Sequence, residues 1–195
     1  MKKISQQLAI IGFAVLSTLA CAQKTENTVA KTDSQKSTAV AVDSKATDEQ
    51  KKAAAEEKAK FAKPYNPKAN AEKDLEMLMA KAKKENKNIM IQAGGNWCIW
   101  CLRFNNFVMN DPKLKAIVDK NYEYYHLNYS PENKNEKVFA KYGNPGEKFG
   151  YPVFIILDSK GEILHVQSSE ILEEGKGYSK DRVSEFLTKW GTGKS

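Results

Sequence analysis

The distribution of apolar positions divides the chain into three stretches. Residues 8–19 form a short apolar run, residues 23–63 carry almost no large apolar side chain before Phe61, and from Pro64 onward apolar positions recur with the periods of regular structure. Leu75, Leu78, Met79 and Ala82 repeat at helical spacing among Lys and Glu, which predicts an amphipathic helix over residues 70–85. After the break at Asn86-Lys87-Asn88, the run beginning Ile89-Met90-Ile91 predicts a buried strand over 89–93. Phe104, Phe107 and Val108 continue the stripe of a helix that begins near Cys98 and runs to about residue 108. Asn110-Asp111-Pro112 stops it, and Asp111 is placed to cap a second short helix with Leu114, Ile117 and Val118 inward. The aromatic stretch 122–129 reads as a second strand. Ser130-Pro131 starts a helix expected over 132–142, and the glycines at 143, 146 and 150 are read as a flexible loop. The apolar run 153–157, the turn Asp158-Ser159-Lys160-Gly161 and the alternation over 162–167 predict a hairpin. A last helix over 180–190 turns Val183, Phe186, Leu187 and Trp190 inward. This order predicts an α/β fold, a central mixed sheet of about four strands flanked by helices on both faces.

The first stretch changes the expected compartment. Lys2 and Lys3, the apolar run and the small residues Ala20 and Ala22 have the layout of an export signal over residues 1–22. The run is short for a transmembrane anchor. Two processing routes fit. Ala20-Cys21-Ala22 matches an Ala-x-Ala cleavage before Gln23, which releases a soluble protein. Leu19-Ala20-Cys21 resembles a bacterial lipoprotein signal, in which Cys21 becomes the lipidated first residue and anchors the chain to a membrane, although Thr18 stands where that signal usually has Leu. Residues 23–63 are too poor in apolar side chains to offset their ordering entropy and read as a disordered tether rich in Ala, Lys, Ser, Thr and Glu. Within it, Ala53-Ala54-Ala55 among charges favours transient helix over 47–63. Residues 64–195 are the right size for one domain. The formal charge of +7 falls to +5 when Lys2 and Lys3 leave with the signal, and it is spread among Glu and Asp without an arginine cluster, which argues against a nucleic-acid partner.

The candidate chemistry sits where the first strand of the domain meets its second helix. Gly94-Gly95 is followed by Asn96-Trp97-Cys98-Ile99-Trp100-Cys101. Two cysteines three apart at a helix start lie on one face and can close a small disulfide. Unpaired backbone N–H groups and the positive end of the helix dipole beside Cys98 favour its thiolate, which makes it the reactive sulfur and Cys101 the resolving one. Structural zinc wants four ligands, and His126 and His165 do not supply a His-x-x-x-His pair. A purely structural bridge over so short a loop gains little closure entropy. No metal and no bound cofactor is expected. An exported chain that keeps one close pair is no disulfide scaffold, so its two thiols are working parts.

The strand running into Trp97-Cys98-Ile99-Trp100-Cys101, the downstream Tyr151-Pro152 step and the hairpin before a terminal helix together resemble the thioredoxin superfamily, and within it exported bacterial thioredoxin-like proteins with a Trp-Cys-x-Trp-Cys motif. The resemblance covers residues 70–190 and implies a thioredoxin-like fold. It implies that Cys98 attacks and forms a mixed disulfide, that Cys101 resolves it, and that Trp97, Tyr151 and a cis Pro152 form the substrate-binding surface. From the residues alone, Pro152 is also compatible with a trans strand start. Two departures stand out. Gln92 occupies the place, six residues before the first cysteine, where thioredoxins usually carry a buried Asp. An amide cannot take a proton, so proton transfer at the Gln92 position needs water or another group, and His126, near the place of a partner lysine, is the candidate carrier. The dipeptide Ile99-Trp100 adds no charge between the cysteines, whereas strongly oxidising relatives often carry a histidine there; this tilts the expectation towards reduction or exchange.

The reading is thus an exported thiol:disulfide oxidoreductase, periplasmic and either soluble or membrane-anchored. It would act on protein disulfide substrates and be recharged by a membrane or envelope redox partner. The alternative is a non-catalytic thioredoxin-fold binding module, either a metal-thiolate carrier or a protein-interaction domain.

Overall fold

A computed structural model describes residues 48–192. The export signal, Cys21 and residues 23–47 of the expected tether lie outside the described residues. The chain runs through α1 (Asp48–Lys60), α2 (Ala71–Glu85), β1 (Asn88–Gly94), α3 (Ile99–Asn110), α4 (Pro112–Asn121), β2 (Tyr122–Asn128), α5 (Glu136–Lys141), α6 (Pro145–Phe149), β3 (Val153–Leu157) and β4 (Ile163–Ser168). A 3₁₀ turn at Glu170–Leu172, the short strands β5 (Glu173–Glu174) and β6 (Gly177–Tyr178), and α7 (Lys180–Lys189) complete it.

The main sheet has the order β2-β1-β3-β4. β1 runs parallel to β2 with Gln92 opposite His126, and antiparallel to β3 with Gln92 opposite Phe154. β1 is buried along its whole length because helices cover both faces. On one face Ile89, Ile91, Ala93, Ile155 and Leu157 pack against Leu75 and Ala82 of α2 and Val138 and Phe139 of α5. On the other, Met90, Phe154 and Ile156 pack against Phe104 and Val108 of α3, Leu114 of α4 and Val183 and Phe186 of α7. This is the mixed, two-faced α/β arrangement expected from the pattern. Local chemistry fixes the element ends. Asn70 caps α2, its side chain accepting from the Lys73 N–H at 3.1 Å. Asp111 accepts from the Lys113 and Leu114 N–H groups at 2.9 and 3.1 Å, with Pro112 at the first helical position. Among the described residues no helix is long and apolar enough to cross a membrane.

Within the expected tether, the stretch 47–63 that favours transient helix holds α1 over Asp48–Lys60, and an ion pair to α3 adds tertiary support to its alanine-rich propensity. Three stretches depart from the sequence expectation. The helix expected over 132–142 shortens to Glu136–Lys141. Asn128 donates to the Asn133 carbonyl at 2.8 Å and Asn135 donates to the Asn128 carbonyl at 2.8 Å, so side chains hold residues 130–135 in a loop. The loop expected over 143–150 contains α6, started by Pro145 after a left-handed Asn144. The segment before the last helix folds into the β5–β6 hairpin around Gly175, which has a φ of 58°.

Candidate active site

β1 ends at Gly94, and a tight turn delivers Cys98 to the N-cap of α3. The Cys98 N–H bonds back to the Gly95 carbonyl at 3.0 Å. Cys98 Sγ accepts from the Cys101 N–H at 3.1 Å, so the sulfur satisfies one of the unpaired donors of the helix start. Once Cys98 is reduced, that donor and the helix dipole favour its charged form. The two cysteines are joined as a disulfide with Cα atoms 5.2 Å apart. Cys98 is 6% exposed and Cys101 0%, so of the two only Cys98 reaches the surface. Both glycines are required by close approach. A Cβ on Gly94 would overlap Cys101 Sγ, and one on Gly95 would overlap the Trp97 indole.

The cis peptide Tyr151–Pro152 lies across from the disulfide, and the Tyr151 carbonyl oxygen is 3.5 Å from Cys98 Sγ. Trp97 is 48% exposed, meets the Tyr151 ring edge-on at 5.6 Å and donates its indole N–H to the Tyr129 carbonyl at 2.6 Å. An apolar cleft of about 360 Å³ opens beside it, between Trp97, Tyr129, Pro131 and Lys134. A larger hollow of about 660 Å³, between the start of α2 and residues 131–138, contains none of the expected site residues. Trp100 is held from two sides: Tyr178 donates its hydroxyl to the Trp100 carbonyl at 3.0 Å, and the Arg103 guanidinium lies 4.8 Å over its ring. Arg103 forks onto Glu57 of α1 at 2.8 and 2.6 Å, and Lys58 reaches the Trp97 carbonyl at 3.2 Å. The Arg103 bonds hold the Glu57 carboxyl below the usual carboxylate range.

Behind the disulfide is a buried polar cluster. Gln92 donates to the Cys101 carbonyl at 2.9 Å and to the Tyr65 hydroxyl at 2.7 Å, and accepts from the Tyr124 hydroxyl. Tyr65 packs against both cysteines. Its backbone is clasped by the Asn96 side chain, which donates to the Tyr65 carbonyl at 2.7 Å and accepts the Tyr65 N–H at 3.2 Å. Burial pushes the Tyr65 and Tyr124 phenols well above their ordinary range. Cys98, Cys101, Trp97, Tyr151, Pro152 and Gln92 therefore come together. His126 stands apart. Its ring contacts Tyr65 at 5.2 Å and Tyr124 at 4.4 Å, its Nε2 is buried without a partner, and burial lowers its pKa to about 4. Among the described hydrogen bonds none joins it to either sulfur. His165 stacks on Trp190 at 4.1 Å. Sequence reasoning missed Tyr65, Asn96, Tyr124, Arg103 and Glu57. The one available signal was Tyr65 itself, a large aromatic held between Pro64 and Pro67 in a polar stretch.

A four-strand mixed sheet, a Cys-x-x-Cys disulfide at a helix start and a cis-proline opposite it define a thioredoxin-type domain with a redox-capable pair. Residues 70–159 match the family described as thioredoxin-like. Among solved structures it is similar to a disulphide isomerase from Xylella fastidiosa Temecula1, at 22% identity over 66% of this chain and 96% of that one, with a TM-score of 0.58. The oxidised C-terminal domain of DsbD from Neisseria meningitidis aligns at 19% identity over 63% and 97% of the two chains (TM-score 0.45). A thioredoxin from Thermus thermophilus aligns at 19% over 59% and 79% (TM-score 0.41). Among curated proteins none matches.

Proposed function

We propose that this protein is an exported thiol:disulfide oxidoreductase that reduces or exchanges disulfides of other proteins. The observation that carries the reading is the inequality of the two sulfurs. Cys98 sits at the helix N-terminus, partly open and beside the Tyr151 carbonyl, while Cys101 is sealed behind it. In the reduced protein the Cys98 thiolate attacks a substrate disulfide, forming a mixed disulfide and expelling one substrate thiolate. Cys101 then attacks Cys98, the bond to the substrate breaks, and the second substrate sulfur leaves with the electron pair and a proton. Two electrons have passed to the substrate, and another envelope redox protein must restore them. Trp97 and the Tyr151-Pro152 backbone line the approach to Cys98, which suits an extended substrate segment around its own cysteine. Export is supported by the layout of residues 1–22, and anchoring by Cys21 is the lipoprotein form of the same reading.

A Cys101→Ala variant tests the exchange. With the resolving sulfur gone, Cys98 should accumulate stable mixed disulfides with envelope proteins, visible as dithiothreitol-sensitive adducts on non-reducing gels and absent when Cys98 is also replaced. Capture of nothing by a folded variant overturns the reading.

A further inference from the structure

Among the described residues, the hydrogen bonds behind the disulfide leave one donor without a destination. The Cys101 carbonyl can only accept, so the Gln92 amide nitrogen faces it, and the amide oxygen faces the Tyr124 hydroxyl, which must then be the donor. The second hydrogen of the Gln92 nitrogen goes to Tyr65, whose oxygen therefore accepts. The Tyr65 hydroxyl hydrogen remains. Its oxygen lies 3.1 Å from the spot a Gly94 Cβ would occupy, a spot that also abuts Cys101 Sγ, and Tyr65 packs against both cysteines. The Asn96 clasp on the Tyr65 backbone and the flanking Pro64 and Pro67 hold the ring there.

Resting on the exchange proposed above, we infer that Tyr65 is a catalytic residue of the resolving step, donating its hydroxyl hydrogen to Cys101 Sγ as that sulfur becomes a thiolate. In the step, the Cys101 thiol loses its proton, its electron pair forms the bond to Cys98 Sγ, and the Cys98–substrate bond breaks. The departing substrate sulfur takes the electron pair and a proton, so the count of protons balances. Tyr65 keeps its own proton throughout, because burial holds its phenol well above the usual range. It thus performs by hydrogen bonding what Gln92, with both N–H groups and its oxygen engaged, cannot. The other titratable groups around this spot are Cys98 on α3, Tyr124 and His126 on β2, Tyr178 on β6 and Tyr151 before β3. Arg103, paired with Glu57, and Lys58 are the charges bonded around the cysteine-bearing segment.

The test is stopped-flow reaction of the full reduced chain with 5,5′-dithiobis(2-nitrobenzoate), in which attack by Cys98 and resolution by Cys101 each release one coloured thiolate. In Tyr65→Phe the first phase should be unchanged. The second should slow about tenfold at neutral pH, the loss expected for one hydrogen bond to a charged group, and the two proteins should converge at alkaline pH, where Cys101 ionises unaided. Tyr122→Phe, which removes an equally buried hydroxyl bonded to the Leu187 carbonyl, should change neither phase. An unaltered second phase, or one slowed equally at every pH, overturns the inference. Should the Phe variant not fold, site-specific 3-fluorotyrosine at 65, a stronger donor, should accelerate the second phase, and no acceleration overturns it as well. A wild-type protein without a second phase would instead strike at the exchange reading itself.

Discussion

His126 shows how a residue marked out by its type takes another role once its surroundings are known. A histidine near a cysteine pair invites a proton-carrier reading. Burial instead lowers its pKa to about 4 and leaves it neutral at physiological pH, ring to ring with Tyr65 and Tyr124. The consequence is one of stability. In the unfolded chain the imidazole regains its ordinary value of 6.5. Between the two values the unfolded state binds a proton that the folded state refuses, so this contribution is fully present above about pH 6.5 and is lost as pH falls towards 4. Urea titrations should show a loss on the order of 2 kcal/mol across that window. His126→Leu should flatten it; an unchanged slope would mean that other groups carry the acid sensitivity.

At the scale of elements, the contact between α1 and α3 joins a segment that reads as linker to the helix bearing the cysteines. Glu57 and Arg103 form a two-pronged pair, and Arg103 also covers Trp100, so α1 docks next to the site through this ionic clamp together with the Lys58 bond to the Trp97 carbonyl. The Glu57 side chain is 36% exposed, and ion pairs open to solvent contribute little to global stability. Glu57→Gln should therefore change the unfolding free energy by less than about 1 kcal/mol while markedly raising hydrogen exchange across Asp48–Lys60. Exchange that stays slow would show that the helix is held by something other than the clamp. The same contact explains why α1 was only half legible. Alanine and charge patterning gave helical propensity, but docking depends on partners 46 and 39 positions away. The four strands of the main sheet and α2, α3, α4 and α7 were legible because their apolar periodicity is set by that sheet and the faces it presents. The loop at 130–135 was not, because asparagine side chains, which carry no period, override the helix.

For the molecule as a whole, the site divides along the same line. Cys98, Cys101 and the Tyr151-Pro152 step were readable as local motifs. Tyr65 and Asn96 meet only because the approach to α2 is drawn across the end of β1, a juxtaposition that no window of sequence contains. The fold thus places two groups behind the disulfide that do not gain or lose a proton over the working range, the Gln92 amide and the high-pKa Tyr65 phenol. That has an electrochemical consequence. Each reduction takes up two electrons and, while both thiols are protonated, two protons, so the midpoint potential should fall by about 59 mV per pH unit. A buried carboxylate that titrates with the redox state would bend such a plot. Here the line should stay straight from mildly acid pH until Cys98 itself ionises and halve its slope there, with a value at neutrality nearer the roughly −270 mV of a reductant than the roughly −120 mV of a strong oxidant. A bend below the ionisation of Cys98 would reveal a proton held by a group other than the two sulfurs. Without one, the amide at 92 has made this pair a simple two-electron, two-proton couple.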